Sequence, residues 1–369
     1  MPSIVTVTFS PSIDKSFTTP EMVPDKKLRC SAPKLDPGGG GINVARAIKI
    51  LGGKATAVFP SGGYTGKQFD RLLEDEEVPM MIIESTNETR ENIVVVDQSK
   101  NLQYRFGMPG TELKEGEWKE ILRVIEAMED IEYLVCSGSL PPGVPEDIYA
   151  QLATIARQKG AKCIVDTSGR PLRLAIEAGL YLIKPNIGEL SAFAGKDYLS
   201  IEDAKEIALN MVVSGQCEVV VVSMGGDGAM LVTKDIVEIY TSPKVERKST
   251  VGAGDSMVAG IIYSLSVNRK LTDAVRYGVA CGTAATMNPG TELCRKEDAD
   301  ALFEIIGARG KGQGGCLETG FTLYQYGIAN TSTPLSTSNQ GKVGGFVRRQ
   351  IFLPARQETS KILHSSLET

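Results

Sequence analysis

Short runs of β-branched and apolar residues alternate with stretches of helical periodicity through most of the chain. Ile4 to Phe9, Thr56 to Phe59, Tyr133 to Cys136, Cys163 to Val165, Tyr181 to Ile183 and Val219 to Val222 read as strands. Gly41 to Leu51, Glu115 to Met128, Pro145 to Lys159 and Ile201 to Ser214 read as helices between them. Apolar strands alternating with helices predict an α/β fold of three layers, a mainly parallel sheet with helices on both faces. Ligands of such sheets bind beyond the carboxyl ends of the strands, so functional residues are expected just after them.

Two segments break the rhythm: 16–35 and 91–106. In the second, Asn92 to Val96 and Leu102 to Phe106 flank the polar Gln98-Ser-Lys-Asn101, the pattern of a β-hairpin. Together the two segments predict a small β-sheet lid standing off the main domain. After Gly307 the chain turns to Gly, Ser, Thr and Gln, so 1–307 is expected to be the folded domain and 308–369 a low-complexity, disordered extension.

Composition narrows the chemistry. The net charge of -5 is mild, but residues 308–369 carry seven Lys/Arg against three Asp/Glu, which leaves the folded part near -9. Nucleic acid is therefore not expected as a partner. Seven cysteines in no CxxC spacing read as reduced thiols of a cytoplasmic protein, and no apolar run predicts a membrane span. The single histidine, His364, lies in the extension, so mechanisms that need imidazole as base or metal ligand have no candidate.

Two glycine patterns mislead. Gly62-Gly-Tyr-Thr-Gly66-Lys67 lacks two positions of a phosphate loop, with Ser61 for its first Gly and Gln68 for its Ser or Thr. Gly38 to Gly41 does not follow a predicted strand and has no acidic ribose ligand about 20 residues on, as a dinucleotide fingerprint requires.

Ser249-Thr-Val-Gly252-Ala253-Gly254-Asp255 is more informative, because its glycines let backbone approach a ligand where a helix begins. Free N–H groups there form an anion hole for a transferred phosphoryl group, and Asp255 beside it can take the proton of an attacking hydroxyl. Alone, the segment reads more simply as a turn before a capped helix. Three further pieces change that. Lys184-Pro-Asn186-Ile-Gly-Glu189 follows a strand and offers Asn186 and Glu189 to a hydrated Mg2+. Val219 to Gly228 is strand, glycine turn and the start of another strand, a slot for a flat ring. Pro37 to Asn43 runs four glycines into a helix, bringing backbone amides and Asn43 to sugar hydroxyls.

These four pieces, in this order over residues 1–307, resemble the PfkB family of carbohydrate kinases, which shares the ribokinase fold. Pro11-Ser-Ile-Asp14, Lys27-Leu-Arg29-Cys30, Thr89-Arg90, Ser137-Gly-Ser139-Leu-Pro-Pro-Gly143 and Asn288-Pro-Gly-Thr291 further resemble its 6-phosphofructokinase branch. The resemblance implies ATP-dependent phosphorylation of fructose 6-phosphate with Asp255 as base, aided by Gly252, Ala253 and Gly254. It implies a sugar site of Asp14, Gly38, Gly39, Asn43 and Ser139, with Arg90, Lys27 and Arg29 meeting the phosphate across a homodimer clasped through its lids. Lys184, Asn186, Ser223, Gly225, Gly228, Thr250, Gly252, Val279 and Thr283 would line the ATP site, with Mg2+ held through water by Asn186 and Glu189. Backbone at Ser249, Val251, Ala285, Asn288 and Gly290 would hold a monovalent cation such as K+, although Pro289 and Glu292 depart from the family pattern. Alternatives are a 1-phosphofructokinase, a tagatose-6-phosphate kinase, or a regulator that binds sugar or nucleotide without turnover. Asp255 argues against the last, since a pure binder needs no carboxylate at a phosphate-binding helix start.

Overall fold

The structure, a computed structural model, describes the backbone of residues 3–313 and side chains as far as residue 306. In chain order its elements begin β1 (Ser3–Val7), β2 (Ser12–Thr19), β3 (Lys34–Gly38), α1 (Gly40–Ile50), β4 (Ala55–Ser61), α2 (Gly63–Asp75), β5 (Met80–Glu84), β6 (Arg90–Asp97) and β7 (Leu102–Phe106). Next come α3 (Glu115–Ala127), β8 (Ile131–Ser137), α4 (Ile148–Gln158), β9 (Lys162–Asp166), α5 (Gly169–Glu177), β10 (Leu180–Ile183), α6 (Ile187–Phe193) and α7 (Ile201–Val213). The last are β11 (Cys217–Ser223), β12 (Ala229–Val232), β13 (Val237–Tyr240), α8 (Ala253–Ser266), α9 (Leu271–Thr286) and α10 (Lys296–Gln313).

Nine strands form the main sheet in the order β13-β12-β11-β10-β9-β8-β1-β4-β5. From β5 to β11 every neighbour is parallel, and β12 and β13 add an antiparallel edge. Alternation along each strand sends side chains to two cores. Ile4, Tyr133, Val135, Val219 and Val221 face the layer of α1, α2, α8, α9 and α10. Val5, Val7, Leu134, Cys136, Val220 and Val222 face the layer of α3 to α7. This double burial explains why Val219 to Val222 is one apolar run. The expected three-layer α/β/α architecture is present.

The lid is a separate four-stranded sheet in the order β3-β2-β6-β7. Its β6–β7 hairpin matches the sequence reading, with Asn101 at positive φ in the turn. The first lid segment is longer than 16–35, because β2 starts at Ser12 and β3 ends at Gly38. Asp14 and Pro37 disguise those strand ends, but Pro37 lies on an edge strand, where a missing N–H is tolerated.

Gly62-Gly-Tyr-Thr-Gly66-Lys67 opens α2. Its helix start is filled by Glu88, whose carboxylate accepts from Tyr64 N at 3.1 Å and Thr65 N at 3.0 Å. The segment is an internally capped helix rather than a phosphate loop. At the other end α10 continues to Gln313, past the boundary expected at 307. Ala299, Leu302 and Ile306 anchor that helix in the core, and propagation adds turns once a helix is nucleated. The rest of the expected extension lies outside the described residues.

Candidate active site

Asp255 stands in the first turn of α8, whose N-cap Gly252 has φ 71° and ψ 0°. That left-handed conformation suits glycine. Gly252 also supplies no side-chain acceptor, which leaves the first-turn N–H groups without a side-chain cap. The α1 helix brings Asn43 across to this turn, where its Nδ2 donates to Asp255 Oδ2 at 2.9 Å. Burial, reinforced by Asp166 and Asp14, pushes the Asp255 carboxyl up to about 7, against the opposing bond from Asn43 and the charge of Lys184.

Lys184 follows β10, is 5% exposed, and pairs with Asp166 Oδ1 at 3.2 Å. Burial works against its charge, but Asp166, Glu189 and Asp255 outweigh it and raise the lysine above its ordinary value. It therefore stays an ammonium at neutral pH. A β-carbon on Gly254 would stand 3.4 Å from Lys184 Nζ, which places the lysine beside the α8 start.

Asn186 and Glu189 form a reciprocal cap on α6: Glu189 N donates to Asn186 Oδ1 at 2.8 Å, and Asn186 N to Glu189 Oε2 at 2.9 Å. Burial, with a contribution from Asp166, raises the Glu189 carboxyl despite that cap. Asn186 also bridges Ser223, whose N–H donates to Pro185 O at 2.9 Å. Beyond Ser223, Gly225 and Gly228 both have positive φ where the chain turns from β11 into β12, the hairpin read from sequence. Val279 and Thr283 are buried on α9, and the Thr283 hydroxyl is engaged by Ser242 Oγ at 2.6 Å and Val279 O at 2.8 Å. Thr250 is exposed in the turn before α8.

On the lid side, Gly38 packs against Asp14: a β-carbon there would lie 2.5 Å from Asp14 Oδ2. Gly39, also at positive φ, is the N-cap of α1. Arg90 opens β6, with Nη1 donating to Met108 O at 2.8 Å and Nη2 to Ser10 O at 3.2 Å. Its Nε is buried with no hydrogen-bond partner among the described residues. Burial lowers the guanidinium below its ordinary value, and Asp14 opposes that. Ser139 is exposed just after β8.

Lys27 and Arg29 are exposed on the stretch joining β2 to β3. That stretch leaves from Thr19, whereas Arg90 pairs with Ser12 at the other end of β2. One chain therefore does not gather the three cations.

The expected monovalent-cation segments do meet, through Ser249 Oγ donating to Gly290 O at 2.6 Å. Ala285 O accepts from Asn288 N at 3.2 Å. A carbonyl has two lone pairs, so both can still face a cation. Pro289 is exposed, and Glu292 is drawn to Lys34 at 3.1 Å and Arg295 at 3.2 Å.

Residues 6–298 match the pfkB family carbohydrate kinase. The chain belongs to that family. Among pfkB relatives it is similar to ATP-dependent 6-phosphofructokinase isozyme 2 of Escherichia coli, 45% identical over 307 residues covering 83% of this chain and 99% of that protein. It is also similar to 1-phosphofructokinase of Borreliella burgdorferi, 32% identical over 81% of this chain and 96% of that one. A crystal structure of phosphofructokinase-2 from Escherichia coli in complex with substrates and products superposes with a TM-score of 0.80 at 44% identity, over 83% of this chain and 99% of that chain.

The sequence reading missed Asp166, the partner of Lys184 and a cause of the raised Asp255. Its signal was present, since it directly follows the predicted strand Cys163 to Val165. Asn92 lies in the predicted strand Asn92 to Val96, whose pattern assigns it no further role.

Proposed function

We propose that this pfkB kinase transfers the γ-phosphoryl group of ATP to the free hydroxymethyl group of fructose 6-phosphate, giving fructose 1,6-bisphosphate. The observation that carries the reading is the Asn43–Asp255 contact, which joins the glycine loop expected to hold the sugar to the helix start expected to hold the phosphoryl group. Asp255 accepts the hydroxyl proton as the oxygen attacks, while α8 N–H groups and Lys184 meet the charge on the phosphoryl oxygens. A carboxyl near pH 7 is better matched to that task than an ordinary aspartate. The names of the relatives support a phosphofructokinase, and a cation at Arg90, close enough to feel the charge of Asp14, is consistent with a phosphorylated sugar.

Glu189 keeps one oxygen free of its cap, which fits contact through water with a Mg2+ that arrives on ATP. When bound, Mg2+ neutralises phosphate charge. Among the described residues no cluster of three or more His, Cys, Asp or Glu is placed to hold a metal ion. The loop joined by Ser249 and Gly290 is proposed to hold a monovalent cation. A homodimer clasped through the lids would bring Lys27 and Arg29 to the phosphate of the neighbouring site. Among the described residues no helix is long and apolar enough to cross a membrane.

The deciding measurement is ATP-dependent turnover of fructose 6-phosphate, fructose 1-phosphate, tagatose 6-phosphate and unphosphorylated fructose. The reading expects the highest kcat/KM with fructose 6-phosphate. Preference for fructose 1-phosphate would establish the second reading, a 1-phosphofructokinase, and turnover of free sugar alone would remove Arg90 from phosphate recognition.

A further inference from the structure

The lid register gathers polar side chains on one face. The β2 and β6 strands run parallel, with Ser12 beside Arg90 and Asp14 beside Asn92, so these four side chains share that face. Asn92 Nδ2 donates to Asp14 Oδ1 at 2.9 Å and to Ser12 Oγ at 3.0 Å. Its Oδ1 accepts from Met108 N at 3.0 Å. Ser12 Oγ donates in turn to Asp14 Oδ1 at 2.9 Å. Met108 O and Ser10 O receive the two Nη groups of Arg90. A closed ring thus runs from Asp14 through Asn92 and Met108 to Arg90, and back along the Ser10–Ser12 backbone.

Only a side chain that donates and accepts at once satisfies this position. An aspartate cannot donate to Asp14 when ionised, and a lysine or arginine cannot accept from Met108 N. Two donors on Oδ1 leave Asp14 Oδ2 over Gly38, where it takes no protein donor among the described residues.

We infer that Asn92 is a positioning residue for the sugar phosphate: it holds the free oxygen of Asp14 and the guanidinium of Arg90 at one separation, and so sets which phosphorylated ketohexose spans them. The inference rests on the function proposed above. It adds a residue that touches no substrate but governs acceptor recognition through two that do.

The test is Asn92→Asp, which keeps the acceptor for Met108 N and sets a second carboxylate against Asp14. Kinetics are run with whichever ketohexose phosphate the wild type uses best, so a substrate other than fructose 6-phosphate counts against the proposed function and leaves Asn92 under test. KM for the sugar phosphate is expected to rise by about 30-fold or more while KM for ATP stays within about twofold. Exchanging the pair, Asp14→Asn with Asn92→Asp, restores one donor facing one acceptor, and its sugar KM is expected to fall at least about tenfold below the product of the single effects. A sugar KM within about threefold of wild type, a parallel rise in both KM values, or a strictly multiplicative double variant would overturn the inference. Should Asn92→Asp be recovered unfolded, the exchanged pair is read against Asp14→Asn alone. A lower sugar KM in the pair supports the inference, and an equal or higher one overturns it.

Discussion

Asn43 and Asp255, 212 residues apart in sequence, meet at 2.9 Å through an amide that donates to a carboxylate. This is the bond that favours the ionised form of a group otherwise pushed toward neutrality by burial and by Asp166. The pH profile follows from it. A base is active when deprotonated, so kcat/KM for the sugar phosphate is expected to rise with pH up to a limb near 7 and then level off. Asn43→Ala removes the opposing bond, and the limb is expected to move to higher pH. A profile that stays in place or moves to lower pH would separate the limb from Asp255.

Replacing the base separates function from stability. Asp255→Asn is expected to cut kcat by about three powers of ten or more, with nucleotide binding retained in calorimetry. The same change should stabilise the fold at alkaline pH. The folded-state value of about 7 lies above the ordinary 3.8, so the folded state binds the extra proton between them. Stability from this group is therefore present at acid pH and lost as pH rises toward 7, by up to about 4 kcal/mol if the full shift is realised. Thermal melts at pH 5 and pH 8 check this: the variant should gain most over wild type at pH 8.

Gly38 gives a steric prediction. A β-carbon there meets the Asp14 carboxylate, so Gly38→Ala must displace the group expected to take a sugar hydroxyl. KM for the sugar phosphate should rise by about tenfold or more with KM for ATP little changed. Equal changes in both constants would point to a general loosening of the fold.

Asp166 carries a fourth. Asp166→Asn removes the carboxylate paired with Lys184, as well as one that raises Asp255. The acid limb of the kcat/KM profile should shift to lower pH, opposite to the shift in Asn43→Ala. A limb moving the same way in both variants would contradict these assignments.

Most of the main sheet was legible because its strands are buried on both faces and their apolar runs carry no ambiguity, as at Val219 to Val222. The lid ends were not, since Asp14 and Pro37 have little strand propensity and Pro37 is tolerated by its edge placement. The motif residues Asp255, Asn186 and Glu189 stood out through spacing. Asp166 and Asn92 did not, because each acts on a neighbour remote in sequence: Asp166 on Lys184 and Asp255, Asn92 on Asp14. Asp166 carries only the local signal of a strand end, and which remote neighbours either residue meets is a fact of packing and register. The start of α2 shows the reverse case, where a glycine-rich pattern hinted at phosphate and the structure supplies Glu88.

The Asn43–Asp255 contact has an evolutionary consequence. On the proposed assignments, the groups that read the acceptor lie within residues 14–139, and nearly all that read the nucleotide lie within 184–290. The two vocabularies are written in separate stretches of chain, joined where Asn43 touches Asp255. Substitutions in the early stretch can redirect such a kinase to a new sugar while the inherited apparatus for handling ATP is left intact.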